Sequence, residues 1–205
     1  MSLRRLFWIL PALLLVSMAA QAGSVTAKVY FNGQYAFANN GYGIPPYGGT
    51  LNGQSVSFYC VDFTHDIYAN TSWYATVTKL NSPVADFADT RIDNKTKYLE
   101  MAWLITQMGK ASSEVSKAQF QWAVWSFSGG PANSNAESLL ISDAVNAVDH
   151  GYKGNGWELL TPNGSYGQEF LVDNVTPTPE PSGLILFGSA MLGMFILRKR
   201  IFAAQ

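Results

Sequence analysis

Two residues stand out as candidates for chemistry in this 205-residue chain. Cys60, in the run SFYCVDF, is the single cysteine, and Gln121 sits among large apolar residues in the run AQFQWAVWSF. A lone thiol cannot close an intramolecular disulfide. In an exported protein, which the chain ends described below imply, an exposed thiol is oxidised. Cys60 is therefore buried and inert, joined to a second chain, or committed to other chemistry. Gln121 poses a different problem. A buried amide without a partner costs about 1–3 kcal/mol, so it requires one. Nearby, CVDFTHD brings Asp62, His65 and Asp66 close to Cys60 in sequence. These residues admit a Cys–His hydrolase with His65 or His150 as base, although no local catalytic-cysteine signature is present. They also admit a cation site, although calcium takes a denser oxygen cage. A strand ending in a polar turn accounts for them equally well.

The elements that must hold these residues can be read from periodicity. SVTAKVYF, QSVSFYCVDF and SWYATVTKL are rich in Val, Thr, Tyr and Phe with partial alternation, and predict strands. Alternation through the second places Phe58, Cys60 and Asp62 on one face and Tyr59, Val61 and Phe63 on the other. The runs NNGYGIPPYGG, LNG and YANTS break the strands. From about Asp93 to Tyr152 the period becomes helical. Tyr98, Met101, Ile105 and Met108 form one stripe, stopped at Gly109. Val115, Ala118, Trp122 and Trp125 form a second, stopped by Gly129-Gly130-Pro131. Ala136 to Val148 predicts a third helix capped by Ser134 or Asn135. Within the second helix, Ala118, Gln121 and Trp125 share one line, and Phe120, Val124 and Phe127 another. A helix apolar over most of its circumference is buried on more than one side, and Gln121 with it. Strands return between Trp157 and Val172, with Asn163-Gly164 as a turn. The expected fold is α+β: an antiparallel sheet or partial barrel with a helical insertion of about three helices.

The chain is 48% hydrophobic and only 13% charged, against about 25% charged for an average soluble domain. A formal net charge of −1 gives no electrostatic footprint for a nucleic-acid partner. Residues 1–22 read as a secretory signal peptide: Arg4 and Arg5, an apolar run from Leu6, then Ala20-Gln21-Ala22. Arg4-Arg5 also touches the twin-arginine pattern, but the leucine-rich run favours the general secretory route. Residues 23–175 form the functional domain, with eight lysines and arginines against thirteen aspartates and glutamates. Residues 176–182 are a proline-rich linker, and 183–205 an apolar segment with a basic tail. The fifteen apolar or small residues from Gly183 to Leu197 fall short of the ~20 that cross a bilayer. The positive-inside rule keeps Arg198, Lys199 and Arg200 cytoplasmic.

The order Pro179-Glu180-Pro181, apolar run, Arg198-Lys199-Arg200 and chain end resembles the PEP-CTERM sorting signal of Gram-negative bacteria. The resemblance implies processing by an exosortase-type enzyme after transient insertion in the inner membrane. It further implies delivery to the outer envelope or to an extracellular, biofilm-type matrix. A second resemblance joins the two residues of the opening. Tyr59-Cys60, followed some sixty residues later by Gln121-Trp122-Ala123-Val124-Trp125, resembles the paired motif of bacterial thioester domains, which are surface adhesin modules. That resemblance implies a covalent bond from the Cys60 sulfur to the Gln121 side-chain carbonyl. Phe120 departs from the threonine at that place in the family, and the anchor differs from the Gram-positive cell-wall type.

The implied chemistry is physically sound. A thiolate is a strong nucleophile and an amide a poor electrophile. They condense with loss of ammonia when held in near-attack geometry, where effective molarity reaches about 10⁵ M or more. Donors at the developing oxyanion assist, and a dry pocket protects the product. Tyr59, Trp103, Trp122 and Trp125 are the candidate walls, with His65 a candidate assistant. The thioester is then a stored electrophile for a lysine-type amine on a target. It reacts once, without turnover, cofactor or metal, so the chain is not an enzyme in this reading. The competing expectations are a non-covalent matrix protein with a buried free Cys60, and a cysteine hydrolase.

Overall fold

Eight strands and three helices make up the described part of the structure, a computed structural model in which residues 25–132 and 134–173 are described. The signal peptide, the linker and the sorting segment assigned above lie outside those residues. In chain order the strands are β1 (Val25–Phe31), β2 (Phe37–Asn39), β3 (Tyr42–Ile44), β4 (Tyr47–Leu51), β5 (Gln54–Cys60), β6 (Thr71–Lys79), β7 (Trp157–Pro162) and β8 (Phe170–Asp173). The helices α1 (Lys95–Met108), α2 (Glu114–Ser126) and α3 (Asn135–Asp149) are inserted between β6 and β7.

Six strands close an antiparallel barrel in the order β1-β4-β5-β8-β7-β6. Alternation fills it. Ala27, Val29 and Phe31 of β1 are buried while Lys28 between them is exposed. Phe58 and Phe170 meet inside with ring centroids 5.2 Å apart, and Trp73 and Tyr47 pack on Phe170 at 5.9 and 6.1 Å. Closure leaves none of these six strands with a free edge. The tight turn Asn52-Gly53 joins β4 to β5 with φ of 51° and 82°, the left-handed pair that a two-residue hairpin of matching twist requires.

Each helix starts where a short polar side chain accepts a backbone N–H: Asn94 from Lys97, Ser113 from Ser116 and Ser134 from Glu137. Tyr98, Met101, Ile105 and Met108 of α1 are all buried. They pack with Ala123 and Val124 of α2 and Ala144 of α3 on the outer face of the barrel, against Leu159 and Leu171.

Three sequence expectations need correction. NNGYGIPPYGG is not only a break: it carries part of the β2–β3 hairpin and the start of β4, with Asn40 and Gly41 (φ 51° and 84°) at the hairpin turn. Val115 is 69% exposed, because α2 turns its first residues away from the core. β5 ends at Cys60, so strand alternation does not extend to Asp62 and Phe63.

Candidate functional site

Cys60 is the last residue of β5, next to β8 through its pairing with Phe170. It is 1% exposed. Its thiol donates to the Asp62 main-chain oxygen at 3.2 Å. Burial pushes the thiol up to about 12. The Trp125 indole and the Asp62 backbone hold it down against that rise, while the Asp62 and Glu169 charges add to it. The indole N–H lies close enough to favour the thiolate, yet it makes no regular hydrogen bond.

Gln121 comes from α2, with no exposed surface. Its Nε2 donates to the Cys60 carbonyl oxygen at 2.9 Å. Its Oε1 is buried without a hydrogen-bond partner. Residues 61 apart in sequence are thus joined, and the contact runs from the carboxamide to the cysteine's own backbone.

An aromatic stack is built on the same helix, around Trp122 and Trp125. Trp122 and Trp125 meet at 5.1 Å, and both pack against Phe63 (6.0 and 5.6 Å) and Tyr42 (5.4 and 5.7 Å). Exposure falls from 45% at Tyr42 to 5% at Trp122 and 3% at Trp125. Trp122 Nε1 donates to Asn39 Oδ1 at 2.9 Å, which ties the β2–β3 hairpin to α2. Phe63 joins the stack because its N–H bonds Ser128 Oγ at 3.0 Å, beyond the end of β5. Sequence reasoning missed Tyr42, Phe63 and Asn39. The Asn40-Gly41 dipeptide between Phe37 and Tyr42 was the available signal, since it is a strong marker of a two-residue hairpin.

The other expected residues have different places. Tyr59 points away from Cys60, and its ring packs on Trp157 at 5.7 Å. Trp103 packs into the helical core rather than the aromatic stack. His65 Nδ1 lies 3.0 Å from Asp62 Oδ1 in a hydrogen bond. Asp62 Oδ1 also accepts from the Thr64 N–H and hydroxyl. Asp62 Oδ2 lies 2.8 Å from the same imidazole without a regular hydrogen bond, and 3.8 Å from Arg91 Nε. His65 therefore serves Asp62, and Cys60 donates to a carbonyl instead of an imidazole. His150 caps α3, its Nδ1 2.8 Å from the Asn146 carbonyl. Neither histidine forms the thiol–imidazole pair that a cysteine hydrolase uses.

Beneath the site, Glu169 is fully buried. It accepts from the Tyr98 hydroxyl, from the Arg91 backbone N–H at 3.0 Å and from Thr161 Oγ1 at 2.8 Å. Burial raises its carboxyl above the ordinary range, and those three donors oppose the rise. A surface cleft of about 550 Å³, lined by Gln34, Tyr35, Pro46, Tyr47 and Ser57 among others, includes neither Cys60 nor Gln121.

No curated protein matches the sequence. Among solved structures, the N-terminal thioester domain of a surface protein from Clostridium perfringens is similar with a TM-score of 0.39 and 14% identity. That likeness covers 73% of this chain and 98% of that one. Residues 177–200 match the PEP-CTERM protein-sorting motif. The motif spans Pro179-Glu180-Pro181 and Arg198-Lys199-Arg200, and marks an exported protein routed by way of the membrane to the cell surface and handled by an exosortase-type enzyme.

Proposed function

We propose that the domain is a single-use acyl donor of the cell surface: Cys60 and Gln121 condense to an internal thioester, which then acylates an amine on a target. One observation carries the reading. The only cysteine meets a glutamine with no exposed surface, whose carboxamide is bonded to the cysteine's carbonyl and is otherwise unsatisfied. In the condensation, Sγ bonds to the Gln121 side-chain carbonyl carbon and the carbon–nitrogen bond breaks. The thiol proton leaves with the nitrogen as ammonia. The aromatic stack keeps water from the product. A lysine-type amine entering past Tyr42 and Phe63 forms an amide at Gln121 and returns the thiol to Cys60. The bond so formed supports an adhesive role at the envelope or in an extracellular matrix.

A second reading has its own observation. A thiol raised to about 12 and donating to a carbonyl suits an inert, buried cysteine in a non-covalent matrix protein. Intact mass of the exported protein separates the two. The thioester reading expects a mass lower by one ammonia, restored in Cys60→Ala and Gln121→Ala. It also expects methylamine to add to the protein with release of one alkylatable thiol. Full mass, with a thiol freely alkylated after denaturation, leaves the inert-cysteine reading in place.

A further inference from the structure

Among the buried side-chain polar atoms without a hydrogen-bond partner are one acceptor and one donor on the same helix: Gln121 Oε1 and Trp125 Nε1. A spacing of four residues places them on one face of α2, one turn apart. Helical side chains lean over the turn N-terminal to their own Cα, so Trp125 leans over the turn that carries Gln121. Both side chains address Cys60. The carboxamide bonds its carbonyl at 2.9 Å, and the indole N–H approaches its sulfur.

The neighbouring tryptophan provides an internal contrast, because the Trp122 N–H is committed to Asn39 Oδ1. The Trp125 ring has little freedom to turn elsewhere. Trp122, Phe63 and Tyr42 pack on it at 5.1, 5.6 and 5.7 Å. Behind it the chain passes so close at Gly130 that an added Cβ would lie 2.9 Å from the Trp125 Cβ. A buried donor fixed one helical turn from a buried acceptor, both unpaired, is an arrangement in which the polar cost is already present before reaction. Charge developing on the acceptor strengthens its demand for such a donor.

We infer that the Trp125 indole N–H is the oxyanion donor of the Cys60–Gln121 reaction. This inference rests on the crosslink reading above. When Sγ bonds to the Gln121 carbonyl carbon, the carbonyl π pair moves onto Oε1, and the indole N–H receives that charge. The pair returns as the carbon–nitrogen bond breaks and ammonia leaves with the thiol proton. When a target amine later attacks the thioester, the same oxygen takes up charge and the same N–H serves it. The amine then loses a proton, and the sulfur departs as the Cys60 thiol. The hydroxyl-free wall of Trp122, Phe63 and the Trp125 ring supplies the dry surroundings in which one such donor counts most.

The test compares wild type, Trp125→Phe and Trp103→Phe as exported full chains. The rate of ammonia loss is followed by intact mass after a synthesis pulse, and the second step by methylamine aminolysis of the finished thioester. Trp125→Phe keeps a flat aromatic ring and removes the N–H. It is expected to slow both steps by about 100-fold or more, with Trp103→Phe, which removes an indole from the helical core away from the stack, within a few-fold of wild type. Equal rates in folded Trp125→Phe and wild type overturn the assignment and leave the crosslink standing. A wild-type chain that never loses ammonia overturns the crosslink reading itself. A readout that needs no variant is the infrared stretch of the wild-type thioester carbonyl, labelled with carbon-13 at glutamine. A hydrogen-bonded carbonyl absorbs below a thioester in dry hydrocarbon solvent, and absorption at the unbonded position overturns the assignment even where Trp125→Phe fails to fold.

Discussion

Replacing Gln121 separates what its amide does for stability from what it does chemically. The comparison belongs in a Cys60→Ala background, where no crosslink can form in any variant. In that background Gln121→Met keeps the side-chain length and removes the amide. The Cys60 carbonyl loses its 2.9 Å donor, at a cost of about 1–3 kcal/mol for an orphaned buried acceptor. The substitution also removes Oε1, which is buried and unpartnered and whose desolvation carries a cost of about the same size. The two nearly cancel, so Gln121→Met is expected within about 1 kcal/mol of its parent. Gln121→Ala creates a cavity as well. It is expected to fall below Gln121→Met by about 2–5 kcal/mol, the range for methionine-to-alanine truncation in a core. Urea denaturation followed by tryptophan fluorescence measures both, with an unchanged slope confirming that only stability moved. A loss of more than about 3 kcal/mol in Gln121→Met would refute the reasoning. It would mean that the amide makes a second strong hydrogen bond, and that Oε1 is not the unsatisfied oxygen on which the proposed chemistry depends.

Tyr98→Phe removes a donor from Glu169 and the acceptor of the Ile92 N–H, and is expected to cost about 1–3 kcal/mol per orphaned group by the same denaturation assay. Gly49→Ala places a methyl against the Tyr30 carbonyl and the Phe58 ring. It is expected to break the β1–β4 pairing and abolish the cooperative transition in thermal circular dichroism. In Gln121→Met, where the thiol stays free, Cys60 held up to about 12 is expected to alkylate far more slowly in the native protein than in urea at pH 8. The same shift fixes a pH dependence. The unfolded thiol ionises first, from its ordinary value of 9.0, so the folded state binds the extra proton and stability falls as pH rises from there toward about 12. The difference between Gln121→Met and its Cys60→Ala counterpart isolates that slope from the buried tyrosines.

Local patterns carried much of this fold. β1, β5 and β6 follow from β-branched and aromatic alternation, and the three helices from apolar stripes and polar caps. Barrel closure was less legible, because β5–β8 and β1–β6 join residues about 110 and 50 positions apart and no local pattern encodes that pairing. The site divides in the same way. The hydrogen bond from Gln121 to the Cys60 carbonyl links two motifs that were each visible in the sequence. Tyr59 was expected in the wall, yet the pleat that puts Cys60 inside the barrel turns Tyr59 outward to Trp157. Trp103 lies on α1, and only the packing of the three helices decides that it faces away. Phe63 reaches the stack because the strand stops before it, and Tyr42 because a short hairpin folds over α2 from a stretch that looks like loop.

The position of β8 has a mechanical consequence. It is the last described strand before the sorting segment, and it is part of the barrel wall, laddered to β5 on one side and β7 on the other. If a target is amide-bonded at Gln121 and the chain is held at its C-terminal segment, tension enters the backbone at α2 and leaves it through β8. The covalent route between them runs through α3 and β7 and bypasses every residue before Gln121. The strands of the first half, β1, β4, β5 and β6, then act as a clasp around the loaded segment rather than as links in it. A pull at the exit must shear two ladders together, and one of those ladders begins at the cysteine that the reaction has just set free.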